Sequence, residues 1–272
     1  MGCSQTIDSN RRYTISKVTH ISDEFEMLRE LGKGTFSTVM LAEDKTGRKV
    51  ALKCISLPQM RSELHLLNRE VSILRELDHP NIVKLYCVYS EDEMVYLSME
   101  LCEGGSLKER IDRNGALPVA TIKAVAKQLL SALHYLHRHN IGHRDLKAEN
   151  VLFSRDNQVK VADFGLARIM DNMRPYSRVG TPYYIAPEVI HGDFNWQCDV
   201  WSAGVVLYFA MAGVMPFEGE TMTSLLCKIE GPEVDMSMIP VDAHNFLQNL
   251  LKQDCKARYT AEQALRDPWL IS

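Results

Sequence analysis

None of the seven cysteines stands in a CxxC pair: Cys3, Cys54, Cys87, Cys102, Cys198, Cys227 and Cys255 are scattered along 272 residues. That spacing argues against a zinc ribbon or a disulfide framework and fits a reducing, cytosolic compartment. Neither sign of charge is in large excess. The formal net charge is −4, so no basic surplus points to nucleic acid and no long acidic run marks a solvated tail. The opening MGCSQTIDSNRR has no apolar stretch of the secretory kind. Long hydrophobic runs are scarce too. The one exception, Trp201 to Phe217, is uncharged, but it falls short of the ~20 residues a membrane span needs, and Pro216 closes it. It reads as a helix buried on all sides. No internal repeat, low-complexity tract or DxDxDG-type calcium loop is present.

What is present is 46% hydrophobic residues, enough to bury the core of one large domain or two small lobes. Residues 1–24 are polar, without a sustained apolar period, and read as a flexible tail. From Phe25 to about residue 99 the pattern is strand-rich, in GKGTFSTVMLA, RKVALKCISL and MVYLSMEL. One helical segment interrupts it, with Leu64, Leu67, Val71 and Leu74 at steps of three and four. After Gly104-Gly105 the pattern turns helical, beginning with a stripe from Ile122 to Leu136. Strands first and helices later predict an α+β chain of two lobes with a hinge near residues 100–105.

Several residues point to phosphate chemistry. Gly32-Lys33-Gly34-Thr35-Phe36-Ser37-Thr38-Val39 lies between two strand-like runs, and glycines let backbone N–H groups approach phosphate oxygens. Alone this is an ordinary hairpin, and a strand rather than a helix follows it, which excludes a dinucleotide fingerprint. Lys53 sits on an apolar strand, where it is costly unless paired or snorkelling to water. Glu70 shares the apolar face of the interrupting helix. Each is awkward alone and sensible as a pair. Further on, His143-Arg144-Asp145-Leu146-Lys147-Ala148-Glu149-Asn150 precedes Asp163-Phe164-Gly165. Phosphoryl transfer needs oxygen ligands for Mg²⁺, a cation near the moving phosphate and an acceptor for the substrate's proton. Asn150 and Asp163, Lys147, and Asp145 can supply these in turn. Any one of them could be a simple turn former; the ordered set is hard to explain that way.

VALK, HRDLKAEN, DFG and GTPYYIAPE (Gly180 to Glu188), with the glycine loop upstream, resemble the signature set of eukaryotic protein kinases over roughly residues 25–272. The resemblance implies a bilobal fold: a small β-rich N-lobe with one helix, about 25–101, over a larger, mainly helical C-lobe, about 102–272, with ATP between them. It implies Asp145 as catalytic base, Lys147 and Thr181 beside it, and Mg²⁺ on Asn150 and Asp163. Lys53, held by Glu70, would contact ATP. Gly32, Lys33, Gly34, Thr35, Phe36, Ser37 and Val39 would cover its phosphates, and Ala51, Glu100, Cys102 and Leu152 would line the nucleotide site. Asp199 would anchor the family's hydrophobic spine from below, and Glu188 would pair with Arg258. Leu74, Leu85, His143 and Phe164 match the family's hydrophobic spine.

Lys147 and Thr181 point to serine/threonine rather than tyrosine acceptors, and KVADFGLA with RYTAEQALRDPWL is most similar to the calcium/calmodulin-dependent group. Glu149 matches one of two acids that bind an upstream arginine in basophilic members; Ser106 replaces the other. Ser177 matches the activation-loop phosphosite that would face Arg144, and an activating kinase is its expected partner. A catalytically silent pseudokinase usually lacks a member of the set, and none is missing here. Small-molecule phosphotransferases lack GTPYYIAPE. The chain stops directly after the core, where relatives often carry an inhibitory, calmodulin-binding segment. Met1-Gly2-Cys3-Ser4-Gln5-Thr6 fits the myristoylation pattern, with Cys3 available for palmitate. A cytoplasmic enzyme held at a membrane surface by acylation is the expectation, since two chains anchor where one does not.

Overall fold

The computed structural model describes residues 5–7, 14–17, 20–34, 36–61, 63–170, 182–231 and 234–272. Its internal contacts divide the chain into two compact units, Met1–Asp78 with Val83–Glu103, and His79–Ile82 with Gly104–Ser272.

The first unit is a sheet of β1 (Gln5–Ile7), β2 (Thr14–Lys17), β3 (Phe25–Lys33), β4 (Ser37–Asp44), β5 (Lys49–Ser56), β6 (Leu85–Glu91) and β7 (Met94–Met99), in the order β1-β2-β6-β7-β5-β4-β3. Pairing is antiparallel except between β2 and β6. The segment read from sequence as a tail therefore carries two strands. Thr6, Ile7, Thr14 and Ile15 are β-branched, and the pairing is made by backbone, so it needs no apolar period to form. Alternation along β5 sends its side chains to two faces. Ile55 joins Leu67 and Val71 of helix α1 (Leu64–Glu76) on one face. Val50 and Leu52 join Ile21, Phe25, Ala42 and Tyr96 on the other.

The second unit is mainly helical: α2 (Leu107–Asn114), α3 (Val119–Arg138), α4 (Pro187–Ile190), α5 (Gln197–Ala212), α6 (Met222–Ile229), α7 (His244–Leu250), α8 (Ala261–Leu265) and α9 (Pro268–Ile271). Two small antiparallel pairs accompany them, β8 (Ile141–Gly142) with β11 (Arg168–Ile169), and β9 (Val151–Phe153) with β10 (Val159–Val161). Serine and threonine caps start α2, α6 and α8 in capping boxes. The α3 stripe of Ile122, Val125, Leu129, Leu133 and Leu136 is buried, and α3 packs on α5 and α8. The uncharged run from Trp201 falls on α5 only as far as Ala212, since Gly213 takes a left-handed conformation and ends the helix before residues 214–217; α5 itself is buried nearly all round. Among the described residues no helix is long and apolar enough to cross a membrane. Arg258, 2% exposed, fastens the unit's lower half. Its guanidinium donates to both oxygens of Glu188, at 2.6 and 2.9 Å, and to the Gln197 carbonyl at 2.8 Å.

Candidate active site

Within the first unit, β3 and β4 turn back on each other as the glycine hairpin. The register sets Gly32 against Val39 and Lys33 against Thr38, and the Gly34 N–H donates to the Ser37 carbonyl at 2.7 Å. A Cβ added at Gly32 would meet nothing within 4 Å, so the backbone there faces open space of the kind a phosphate can approach. Phe36 packs against the α1-side core. Val39 opposes Lys53, and Ala51 opposes Met99 at the end of β7. Lys53 points to the α1 face, where its Nζ lies 2.6 Å from Glu70 Oε1, with the two side chains 14% and 7% exposed. The lysine and the acid that sequence reasoning could justify only together are thus paired. Past β7, the Glu100 N–H donates to the Lys84 carbonyl at 2.9 Å, and Cys102 is half-buried. Beside Lys53, burial pushes the Cys54 thiol up to about 11, which leaves it a packing group and not a nucleophile.

In the second unit the loop between β8 and β9 carries the other candidates. Lys147 Nζ lies 2.7 Å from Asp145 Oδ2. Asn150 Nδ2 donates to the Asp145 carbonyl at 2.8 Å and reaches Asp145 Oδ2 at 3.4 Å. The loop is held from below by Asp199 at the start of α5. Its Oδ2 accepts the His143 N–H at 2.9 Å and its Oδ1 the Arg144 N–H at 2.8 Å. His137 Nε2, from the end of α3, lies 3.1 Å from the same Oδ2. Complete burial pushes the Asp199 carboxyl up, but these donors outweigh it, His137 first, and hold the group below its ordinary value. Arg144 and Asp163 take positive φ, 70° and 61°, a backbone strain of about 1–3 kcal/mol each that the surrounding bonds must offset. The His143 ring supplies some of them. Its Nε2 lies 3.0 Å from the Ala162 carbonyl, its Nδ1 accepts from the Asp145 N–H at 3.4 Å, and it meets the Phe164 ring at 4.9 Å. Burial pulls the Arg144 guanidinium down, and its plane rests 4.4 Å over the Phe194 ring.

Asn150 and Asp163 are tied through backbone, since Ala162 N–H donates to the Asn150 carbonyl at 2.9 Å. With its amide nitrogen engaged by Asp145, Asn150 leaves its side-chain oxygen for another partner. Two oxygen donors on fixed backbone fit Mg²⁺, which takes one or two protein groups and completes its shell with phosphate and water. Among the described residues no group of three or more His, Cys, Asp or Glu is placed to hold a metal. Leu152, half-buried on β9, bridges to Ser106.

Thr35, Thr181, Ser177, Gly2 and Cys3 lie outside the described residues. Two anchors went unread in the sequence. His137 is the third arm of Asp199; its only signal was a polar residue directly beside the apolar Leu136. Asn81, 7% exposed, donates from Nδ2 to the Gln128 side chain and the Val159 carbonyl, both at 3.0 Å. Nothing in its HPNIV surroundings marked it as more than a turn former.

Residues 25–270 match the protein kinase domain family. The chain is 38% identical over 260 residues to calcium-dependent protein kinase 5 of Plasmodium falciparum, covering 92% of this chain and 46% of that protein. It is 34% identical over 273 residues to calcium-dependent protein kinase 3 of Plasmodium berghei, covering 96% and 49%. It is 35% identical over 268 residues to calcium/calmodulin-dependent protein kinase type 1 of Caenorhabditis briggsae, covering 94% and 75%. The chain thus spans about half the length of its Plasmodium relatives. With its loop, hairpin and ion pairs arranged as above, the chain belongs to the protein kinase family.

Proposed function

We propose that the chain transfers the γ-phosphate of ATP to serine and threonine hydroxyls of proteins. The observation that carries this is the clasp around Asp145, whose Oδ2 lies 2.7 Å from Lys147 Nζ while its backbone is held by Asn150. A carboxylate so placed accepts the proton that the substrate hydroxyl gives up, and Lys147 meets the charge that builds on the transferred group. Lys53, pinned by Glu70, binds the α- and β-phosphates. The hairpin from Gly32 through Thr35 to Val39 covers them. Ala51, Glu100, Cys102 and Leu152 line the base. Asn150 and Asp163 hold Mg²⁺, which when bound neutralises phosphate charge. Thr181 belongs beside Asp145.

A groove of 680 Å³ in the second unit supports a peptide substrate. Its wall includes Tyr183, Phe209 and Met215, with Glu149, Glu218 and Glu220 on it. Two lysines, Lys108 and Lys228, also line it, and Lys108 is already paired with both oxygens of Asp112 at 2.6 Å. Three carboxylates on an aromatic wall suit an arginine upstream of the acceptor, although Ser106 is spent on capping α2. A degenerate peptide library with fixed Ser, Thr or Tyr acceptors tests both points. Phosphate on Ser and Thr with selection for upstream Arg is expected; phosphate on Tyr alone overturns the assignment.

Two regulatory readings accompany this one. An activating kinase phosphorylates Ser177, and Arg144 binds that phosphate; Ser177→Ala then lowers activity, and a variant as active as the phosphorylated wild type removes the idea. Gly2 and Cys3 carry lipid and hold a cytoplasmic enzyme at a membrane. Metabolic labelling with a myristate analogue in a competent cell reads this directly, and an unlabelled Gly2 rules it out.

A further inference from the structure

The face of the sheet opposite α1 is closed by a segment that runs up to the start of the family match at Phe25. Ile21, 9% exposed, and Phe25, 5%, plug an apolar cluster with Ala42, Val50, Leu52 and Tyr96, and Phe25 meets the Tyr89 ring edge-on at 5.3 Å. One carboxylate fastens the plug. Glu91, at the end of β6, accepts the Ile21 N–H at 3.1 Å and the Tyr96 hydroxyl at 3.4 Å on Oε2, while Oε1 lies 3.4 Å from His20 Nδ1. Burial, then the Glu91 charge, pushes the Tyr96 phenol up to about 12, so it stays a donor.

The plug backs a particular strand. Along β5, Val50 and Leu52 lie in this cluster and Cys54 packs against it, whereas Lys53, between Leu52 and Cys54, faces the other way to Glu70. Cores are close-packed and do not yield continuously, so support behind Leu52 and Cys54 fixes where Lys53 can point. We propose that residues 20–25 form a latch, fastened by Glu91, that positions Lys53 for nucleotide from the back of its own strand. Ile21 and Glu91 are positioning residues, acting through β5 and touching no substrate. This rests on the kinase reading above. Ile21, the latch's first apolar residue, falls outside the stretch that defines the family.

The test compares Ile21→Ala, Glu91→Ala and Glu91→Gln with Leu247→Ala, a control that disturbs the α7 core of the second unit. Two readouts are taken at a temperature where all four are folded: ATP affinity with KM and kcat, and hydrogen exchange of the Leu52, Lys53 and Cys54 amides without nucleotide. A working latch makes those amides exchange faster in Ile21→Ala and Glu91→Ala. It weakens ATP binding by roughly fivefold, the low end of site-to-site coupling, with a smaller change in kcat. Glu91→Gln, which keeps an acceptor for the Ile21 N–H, restores most of both, and Leu247→Ala changes neither. Faster exchange with ATP affinity unchanged overturns the positioning role, as does an equal loss in Leu247→Ala. If the wild type binds no ATP, the kinase reading falls, while exchange still decides the latch: unaltered β5 amides in Ile21→Ala overturn it.

Discussion

Asp199 has no exposed surface, yet three donors keep it charged: two backbone N–H groups of the loop between β8 and β9 and the His137 ring. An amide cannot replace it, because one of its two ends would present N–H to a donor. Asp199→Asn should therefore cost about 1–3 kcal/mol at neutral pH, the desolvation cost of a buried donor left unmet. The pH dependence has a fixed sign. The folded-state value lies below the ordinary 3.8, so the contribution is complete above that pH and is lost as pH falls through the folded value. Urea unfolding of both proteins between pH 7 and 3 should show a gap that narrows below about pH 4. A gap that stays constant to pH 3 would mean the charge is not what holds the loop. The residues of this site were legible in sequence wherever two of them needed each other. Lys53 demanded an acid and Glu70 a cation, and they meet at 2.6 Å. His137 made no such demand, because a histidine at a helix end satisfies water as easily as Asp199.

The elements were legible where an apolar period ran long enough. Leu64, Leu67, Val71 and Leu74 marked α1, and the uncharged run from Trp201 marked α5, buried nearly all round. β1 and β2 were not, since two short strands joined by backbone leave no period to read. Where α5 must stop depends on one residue. Gly213 takes φ 73° and closes the helix by donating to the Phe209 carbonyl at 2.8 Å. A Cβ there would also sit 3.1 Å from the Ala116 nitrogen. Gly213→Ala should thus lower stability by at least the left-handed cost of about 1–2 kcal/mol, read from the denaturant midpoint. An unchanged midpoint would show that the turn can refold around a side chain.

At the scale of the whole molecule the sequence carried the order of strands, then helices, and the ordered motif set. It did not carry the membership of His79–Ile82 in the second unit, which comes from contacts made by Asn81 with α3 and β10 far along the chain. Nor did it carry the closing of the sheet's second face by Ile21. Both depend on long-range partners that no local pattern announces. The most direct measurement is label transfer from ATP, with Mg²⁺, to a serine/threonine peptide by the wild type beside Asp145→Asn, with nucleotide binding measured on both. Transfer by the wild type is expected, with a loss of about 10²–10⁴-fold in the variant and ATP binding intact in each. Equal transfer by the two proteins, or ATP bound by both and transferred by neither, would contradict the assignment.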